Sequence, residues 1–328
     1  MTAPLGRFVV KVVTFSDFGA PDVLVVEERP QPRPRSDDVL VSVHVAGVNR
    51  ADVLQRQGRY PPPAGAPDWP GLEVSGTVAE CGANVRRFSP GDRVAALLPG
   101  GGYAVYATAP EAHVLPIPEG MTDAQAASAI EAACTVQTVL DCASPQPGEP
   151  LLIHGGSGGI GTAAIQIAVG LGLTVIATAR GDRTEVCSIL GADVTVDYTA
   201  EDFVSVVNAA GGADVILDVV GAGYLERNVT ALREGGRLVV IGLQQGATGN
   251  VDLAALLSKR ASIYGTTLRS RSDGAKAKVV QSVEATIWPM LGSAFVPVVH
   301  ASFPFSEASS AHRALENGEA RGNVVLVP

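Results

Sequence analysis

Three glycines at a fixed spacing give the clearest chemical signal in this chain of 328 residues. Gly156, Gly158 and Gly161 form a Gly-X-Gly-X-X-Gly pattern between the apolar run PLLIH and a helix-like stretch. The first glycine of such a pattern permits the tight turn, the second lets the backbone approach a pyrophosphate, and the third lets helix and strand pack closely. N–H groups at the helix N-terminus then bind the phosphates. The predicted dinucleotide-binding segment is Gly156, Ser157, Gly158, Gly159, Ile160 and Gly161.

The end of the next predicted strand indicates which dinucleotide is bound. An NAD enzyme usually places Asp or Glu about 20 residues past the glycines, where it accepts from the ribose 2′-hydroxyl. This chain has ATARGDR there, with Arg180 and Arg183 before and after the loop residue Asp182. A guanidinium suits the 2′-phosphate of NADPH because its planar fork matches the phosphate oxygens. NADPH is therefore the predicted cofactor, and two solvated surface arginines are the alternative.

Strands and helices alternate on both sides of the glycines, which distinguishes this turn from an ordinary glycine turn. Strands are predicted at 150–154, 173–178, 194–198, 214–220, 236–242 and 262–267, and helices at 160–171, 182–190, 200–210, 224–232 and 253–259. Units of this length favour right-handed crossovers. The predicted fold class is α/β, with a doubly wound parallel sheet of six strands.

The part of the chain before residue 118 has a different sequence pattern, without alternating strands and helices. Short β-like runs, beginning with FVVKVVTF at 8–15, alternate with Pro and Gly, as in an all-β barrel or sandwich. The stretch 60–70, YPPPAGAPDWP, is predicted to be a loop because proline fixes φ and removes donors. An amphipathic helix and the strand NVVLVP close the chain and are predicted to return to this half. We therefore expect a β-rich domain at 1–133 and 275–328, and a dinucleotide-binding domain at 134–274.

Composition excludes several other classes of protein. The formal net charge is −9, and no Lys/Arg cluster resembles a nucleic-acid footprint. The four cysteines form no CxxC pair and the five histidines show no metal-site spacing. No apolar run approaches the ~18 residues of a membrane span, and residues 1–13 lack the layout of a signal peptide. These features predict a cytoplasmic protein with free thiols and no nucleic-acid or membrane partner.

The signature Gly71-Leu72-Glu73-Val74-Ser75-Gly76 resembles that of the medium-chain dehydrogenase/reductase superfamily. Zinc alcohol dehydrogenases of that superfamily have a zinc-binding histidine where this chain has Leu72, and a cysteine where it has Gly47-Val48-Asn49. Leu cannot bind a metal, and Asn is a poor zinc ligand. The chain is most similar to the zinc-free quinone oxidoreductases of the zeta-crystallin type, and among them to the tumour-suppressor-inducible branch. The motifs that carry this resemblance over nearly the whole chain are NRADVLQRQGRYPPP, GLEVSG, ALLPGGGYAVY, GTAAIQIA, LRSR and GNVVLVP.

The resemblance implies a GroES-like fold for the β-rich domain and roles for individual residues. Asn49 and Tyr60 would line the cleft near the nicotinamide, although a turn or cap role for Asn49 and a space-filling role for Tyr60 remain open. The residues implied on the cofactor are Thr135 on the nicotinamide side, Arg183 and Tyr198 on the 2′-phosphate, Gly221, Gly242 and Leu243 at later strand ends, Leu268 near the nicotinamide amide, and Asn323 where relatives have a lysine.

Hydride transfer from NADPH to a quinone is the predicted reaction, since a quinone ring accepts negative charge over its own oxygens. Positioning then supplies most of the catalysis. Two alternatives remain open: reduction of an activated C=C bond in an enal or enone by the same hydride geometry, and binding of NADPH without turnover. The strand at 262–267 is predicted to lie at the sheet edge, and its pairing with a second copy predicts a homodimer.

Overall fold

A computed structural model of the chain describes residues 9–328. Residues 1–8 lie outside the described part, and with them the first residue of the strand predicted at 8–15 and most of the segment judged for a signal peptide. The chain divides into two compact units. The β-rich unit comprises residues up to Glu131, Arg269–Glu284 and Pro297–Pro328, and the parallel-sheet unit comprises Ala132–Leu268 and Ala285–Val296. Residues 285–296, which the sequence analysis assigns to the β-rich domain, belong to the parallel-sheet unit. The expected domain bounds, 1–133 with 275–328 and 134–274, stay a prediction.

Fifteen strands and ten α-helices occur among residues 9–328. The strands are β1 Val9–Thr14, β2 Val25–Pro30, β3 Asp38–Val48, β4 Glu73–Cys81, β5 Arg93–Leu97, β6 Tyr106–Pro110, β7 Val114–Pro116, β8 Pro150–His154, β9 Thr174–Ala179, β10 Val194–Asp197, β11 Ala213–Asp218, β12 Leu232–Val240, β13 Ser262–Gly265, β14 Val299–Pro304 and β15 Asn323–Val327. The helices are α1 Arg50–Arg56, α2 Asp123–Ala127, α3 Ile130–Ala143, α4 Gly159–Gly170, α5 Thr184–Ile189, α6 Phe203–Ala209, α7 Leu225–Ala231, α8 Leu253–Ser258, α9 Asp273–Thr286 and α10 Ala308–Glu316.

Six parallel strands form one sheet, in the order β10-β9-β8-β11-β12-β13. The first strand of the set, β8, lies between β9 and β11, so the strand order reverses beside it. All five residues of β8 are buried, as a parallel strand covered on both faces requires. Ligands of such sheets bind at the carboxyl ends of the strands next to this reversal. The predicted α/β fold class is confirmed.

The β-rich unit contains a second sheet, in the order β14-β15-β3-β4-β5-β7, with β6 paired to β3. Its apolar core alternates along the strands with polar residues, and Val39, Val41 and Val43 of β3 all belong to that core. The last strand, β15, pairs antiparallel with β3 and parallel with β14. The end of the chain therefore lies in the β-rich sheet, as the sequence predicts.

The structure differs from the sequence-based expectation in several places. The NRADVLQR segment forms helix α1, because Asn49 and Asp52 supply N-terminal caps that outweigh the β-like texture of this half. Helices α3 and α9 were not predicted, and the small-residue and mixed sequences that form them have weak amphipathic patterns. The edge strand β13 ends at Gly265, two residues short of its predicted end.

Candidate functional site

The glycine turn lies between β8 and α4, at the carboxyl end of the strand beside the reversal. Gly161 packs against the turn so closely that a Cβ there would overlap the Gly155 carbonyl oxygen and come within 2.6 Å of the Gly156 Cα. Gly158 precedes α4 in extended backbone, and a Cβ on it would meet only the Gly155 oxygen, at 3.5 Å. The surface in front of Gly158 is therefore open to a ligand, while Gly161 serves helix packing.

The left-handed residue of this turn is Gly155, with φ +74°, and not the first glycine of the motif. Gly156 instead donates its N–H to the Thr178 carbonyl of β9, and a Cβ on it would come within 2.8 Å of Cys187 Sγ and 2.9 Å of Ala177 Cβ. The expectation that Gly156 makes the tight turn is corrected accordingly. Gly156 is needed because the turn packs against β9 and α5.

The residues predicted to contact a 2′-phosphate come together through the register of two neighbouring strands. Asp197 of β10 pairs with Ala179 of β9, so Tyr198 and Arg180 follow at adjacent strand ends. Asp197 accepts hydrogen bonds from the Gly181 N–H at 2.9 Å and the Thr199 hydroxyl, and these bonds lower the pKa of Asp197. The loop after β9 is thereby tied to the end of β10, and Arg180 and Tyr198 are both exposed there.

The remaining residues predicted on the cofactor have packing roles that the structure makes visible. Gly221 has φ +81°, and a Cβ on Gly242 would come within 2.7 Å of the Val219 oxygen. Leu243 is exposed and Leu268 is buried. Thr135 lies on α3, where its carbonyl accepts from the Thr138 hydroxyl. The backbone turns after β11 and β12 therefore approach each other closely at the carboxyl edge of the sheet.

Asn323 lies in the β-rich unit at the start of β15, where it is 8% exposed. Its amide donates to the Val298 carbonyl at 3.3 Å, and its N–H donates to the same oxygen at 2.7 Å. These two bonds give Asn323 a structural role in joining β15 to the segment before β14. Its predicted contact with the cofactor stays a prediction.

In the β-rich unit, Asn49 directly follows β3 and is the N-cap residue of α1. Its N–H donates to Asp52 Oδ2 at 2.8 Å, and Asp52 Oδ1 accepts from the Gly71 N–H, also at 2.8 Å. Tyr103 donates its hydroxyl to Asp52 at 3.3 Å and lies 3.1 Å from His312 Nε2. Burial raises the pKa of Asp52 to about 6, although the hydrogen bonds from Asn49 and Gly71 oppose that rise. Asp52 thus anchors the turn into α1 and joins it to the segment before β4.

The side chain of Asn49 is held by a second buried carboxylate. Its Nδ2 donates to Glu73 Oε1 at 2.8 Å, and the other Glu73 oxygen accepts from the Glu131 N–H at 2.9 Å. Burial and the nearby charge of Glu131 raise the pKa of Glu73 well above its ordinary value. The neighbouring Leu72 is buried.

Tyr60 lies in the proline-rich loop and is half-buried under a guanidinium. The Arg269 Cζ atom is 5.3 Å from the centre of the Tyr60 ring, and Arg269 donates to the Tyr60 carbonyl at 3.3 Å. Arg269 also donates to Gln55 Oε1 at 2.6 Å and to the Pro99 carbonyl at 2.8 Å, and is only 5% exposed. Burial raises the pKa of the Tyr60 hydroxyl. Arg269 therefore connects the Tyr60 loop, α1 and the segment after β5.

Sequence reasoning assigned no role to Glu73, Arg269 or Gln55, although all three contact or support the predicted residues. Their contacts join segments 24 to 214 residues apart, so no local spacing could reveal them. The sequence signal was that each falls within a quoted motif: Gln55 in NRADVLQRQGRYPPP, Glu73 in GLEVSG and Arg269 in LRSR.

Among residues 9–328, no group of three or more His, Cys, Asp or Glu side chains is arranged to hold a metal ion. None of the described helices combines the length and apolar character needed to cross a membrane.

Comparison with known proteins places this arrangement in a family. Residues 35–119 match the alcohol dehydrogenase GroES-like domain, and residues 159–284 match the zinc-binding dehydrogenase domain. The chain is 31% identical to the quinone oxidoreductase of Lama guanicoe over 98% of both chains. A quinone oxidoreductase structure from Pseudomonas syringae matches with a TM-score of 0.87 and 29% identity, over 97% of this chain and 100% of that one. The Thermus thermophilus quinone oxidoreductase, solved alone and with NADPH, matches with a TM-score of 0.82 and 31% identity, over 97% and 100%.

A Rossmann-type parallel sheet with its glycine turn, together with a GroES-like β-rich unit, defines an oxidoreductase that uses a nicotinamide cofactor. The chain belongs to the medium-chain dehydrogenase/reductase superfamily, and quinone oxidoreductases are among its relatives.

Proposed function

We propose that this oxidoreductase transfers a hydride from NADPH to a quinone without zinc. The observation that carries the proposal is the pair Asn49 and Leu72. Where zinc members of the superfamily have two metal ligands, this chain has an amide bound to a buried carboxylate and a buried aliphatic side chain. Leu72 has no atom that can ligate a metal, and the Asn49 amide is engaged with Glu73. The set of donors therefore suits hydrogen bonding to a substrate oxygen better than metal binding.

The residues of the parallel-sheet unit fit NADPH. The open backbone at Gly158 and the N-terminus of the twelve-residue helix α4 suit a pyrophosphate. Exposed Arg180 and Tyr198, at neighbouring strand ends, suit a 2′-phosphate, and Arg183 follows in the same loop. Relatives include a quinone oxidoreductase solved with NADPH. When bound, this cofactor supplies the hydride.

The chain's own residues then have the following roles. Asn49, through a hydrogen on Nδ2 that Glu73 does not use, and Tyr60, through its hydroxyl, donate hydrogen bonds to a quinone oxygen. Arg269 holds the Tyr60 loop in place, with its guanidinium over the Tyr60 ring. No strong general acid is required, because the quinone oxygens accept the negative charge and are protonated from solvent.

The direct test is steady-state oxidation of NADPH with a panel of quinones and a matched panel of enals and enones, with identification of the product. We expect turnover with quinones to give hydroquinone. Turnover confined to enals and enones, with a saturated carbonyl product, would show that the substrate is an activated C=C bond and not a quinone. Binding of NADPH without oxidation on either panel would leave a non-catalytic binding protein.

We further propose that the protein is a homodimer paired through β13. This strand is the last of the parallel sheet, and Ile263 and Tyr264 on it are exposed. The adjacent helix α8 carries Leu253 and Leu257, which are 63% and 77% exposed. An apolar edge with unpaired backbone groups favours pairing with its own copy. Light scattering should give a mass near twice 33.6 kDa, and a monomer at micromolar concentration would contradict this.

The proposed location is the cytoplasm, where thiols stay reduced. None of the four cysteines, which all lie among residues 9–328, forms a disulfide, which fits that compartment.

A further inference from the structure

Glu73 is a buried carboxylate, and an apolar side chain at its position would carry a smaller desolvation cost on folding. It opens β4, is 2% exposed, and its two oxygens accept from the Asn49 amide and the Glu131 N–H. Removing a carboxylate from water is costly unless hydrogen bonds or an opposite charge compensate it, and an apolar residue avoids that cost. The hydrogen bond to Asn49 is the one that reaches a candidate substrate contact.

The fold makes a specific seat for this carboxylate. A Cβ on Gly47 would overlap Glu73 Oε1 and come within 2.6 Å of Glu73 Cγ and Cδ. The glycine in β3 therefore leaves the space that the Glu73 side chain fills. Since Gly47 and Asn49 lie two residues apart, the strand that seats Glu73 also presents Asn49.

Asn49 is held from two directions. Asp52 accepts from its backbone N–H at 2.8 Å, which fixes the start of α1, and Glu73 accepts from its side-chain Nδ2 at 2.8 Å, which fixes the amide. An amide nitrogen carries two hydrogens, so one stays available after the bond to Glu73. A carboxylate acceptor on the first hydrogen also polarises the group that donates the second.

From this geometry we infer that Glu73 is a positioning residue, which acts through Asn49 by holding its amide in the orientation that donates to the substrate oxygen. The inference rests on the proposed function, since it assigns the substrate contact to Asn49. Glu73 itself contacts neither substrate nor cofactor in this account.

Glu73→Gln tests the inference with little change in volume. Glutamine has one acceptor oxygen and one donor NH₂, so it cannot accept from both Asn49 and Glu131. Either one of the two hydrogen bonds is lost, or the Asn49 side-chain amide flips by about 180° so that its oxygen faces the glutamine NH₂. We expect kcat/KM for the quinone to fall about tenfold, as loss of one buried hydrogen bond implies, while NADPH affinity is unchanged.

A double-mutant cycle separates positioning from a general loss of structure. If Glu73 acts through Asn49, Glu73→Gln combined with Asn49→Ala is no slower than Asn49→Ala alone. Losses that multiply in the double variant would overturn the inference. The matched control is Asp38→Asn, which removes another buried carboxylate of the same unit, bonded to Arg35, and should leave kcat/KM at the wild-type value.

A readout without turnover makes the two proposals separable. The side-chain NH₂ signals of Asn49 in ¹⁵N NMR, assigned by their loss in Asn49→Ala, should move in Glu73→Gln and stay in place in Asp38→Asn. Signals that do not move in Glu73→Gln would show that Glu73 does not hold the amide, whatever the substrate. Absence of quinone turnover in the wild type would instead overturn the proposed function and the substrate contact of Asn49.

Discussion

Alanine substitutions at two glycines of the turn should separate ligand approach from helix packing. Gly161→Ala places a methyl group against the Gly155 carbonyl oxygen and within 2.6 Å of the Gly156 Cα. These are backbone atoms between a buried strand and a helix, so they cannot give way cheaply. Gly158→Ala places its methyl group 3.5 Å from the Gly155 oxygen, an ordinary contact, in extended backbone that alanine adopts readily.

The two alanine substitutions should differ in how much stability they cost. Alanine within α4 gains at most about 1 kcal/mol in helix propensity over glycine, while overpacking typically costs about 1–3 kcal/mol and more against backbone. Gly161→Ala should therefore lose about 2 kcal/mol, a fall in Tm of about 3 °C for a chain of 328 residues. Gly158→Ala changes only a helix cap, at a cost below about 1 kcal/mol, but its methyl group occupies the approach to the pyrophosphate.

Thermal unfolding and fluorescence titration with NADPH measure the two effects. We expect Gly158→Ala to keep its Tm and lose at least about tenfold in NADPH affinity, and Gly161→Ala to lose both. Gly274→Ala, with no atom near its added methyl group in α9, should keep wild-type NADPH affinity and a Tm at or slightly above that of the wild type. Wild-type NADPH affinity in Gly158→Ala, or a wild-type Tm in Gly161→Ala, would refute the corresponding half of this reasoning.

Three further outcomes follow from the structure. Arg183→Ala should weaken NADPH binding by about 1.5–3 kcal/mol and leave NADH binding level in parallel titrations; equal losses would show that Arg183 does not bind the phosphate. Burial raises the pKa of Asp218 to about 6 and lowers that of His154 to about 4. Asp218 therefore stabilises the fold at low pH, and this contribution is lost as the pH rises through about 6. His154 stabilises the fold above its ordinary pKa, and this contribution is lost as the pH falls toward 4. Urea unfolding between pH 4 and 7 should therefore show the wild type's advantage over Asp218→Asn shrinking with pH and its advantage over His154→Gln growing, and parallel slopes would contradict this. Arg269→Lys cannot keep the fork of bonds and the stacking on Tyr60, so kcat/KM for the quinone should fall with NADPH affinity unchanged, and wild-type kcat/KM would remove Arg269 from the account.

The parallel-sheet unit could be predicted from sequence because its signals are local. Each strand is a short apolar run, each crossover carries a helix, and the glycine motif lies where β8 meets α4. The role of Gly155 in the turn was missed. The motif begins at Gly156, but the left-handed conformation falls on the residue before it, and sequence alone does not show which of two adjacent glycines takes it.

The candidate site of the β-rich unit was predicted only in part. Asn49 and Tyr60 were identified through the resemblance, whereas the groups that hold them, Glu73 and Arg269, were not. Glu73 reaches Asn49 across 24 residues and Arg269 reaches Gln55 across 214. Such contacts depend on strand pairing and on where the chain returns, and no period in the sequence encodes them.

The central claim is that this chain reduces quinones with NADPH and without a metal. It is tested most directly by steady-state NADPH oxidation with a quinone, on protein freed of metal by a chelator and analysed for zinc. We predict turnover at the rate of untreated protein, less than stoichiometric zinc before treatment, and a higher kcat/KM for NADPH than for NADH. Turnover that disappears with the metal and returns when zinc is added would contradict the claim.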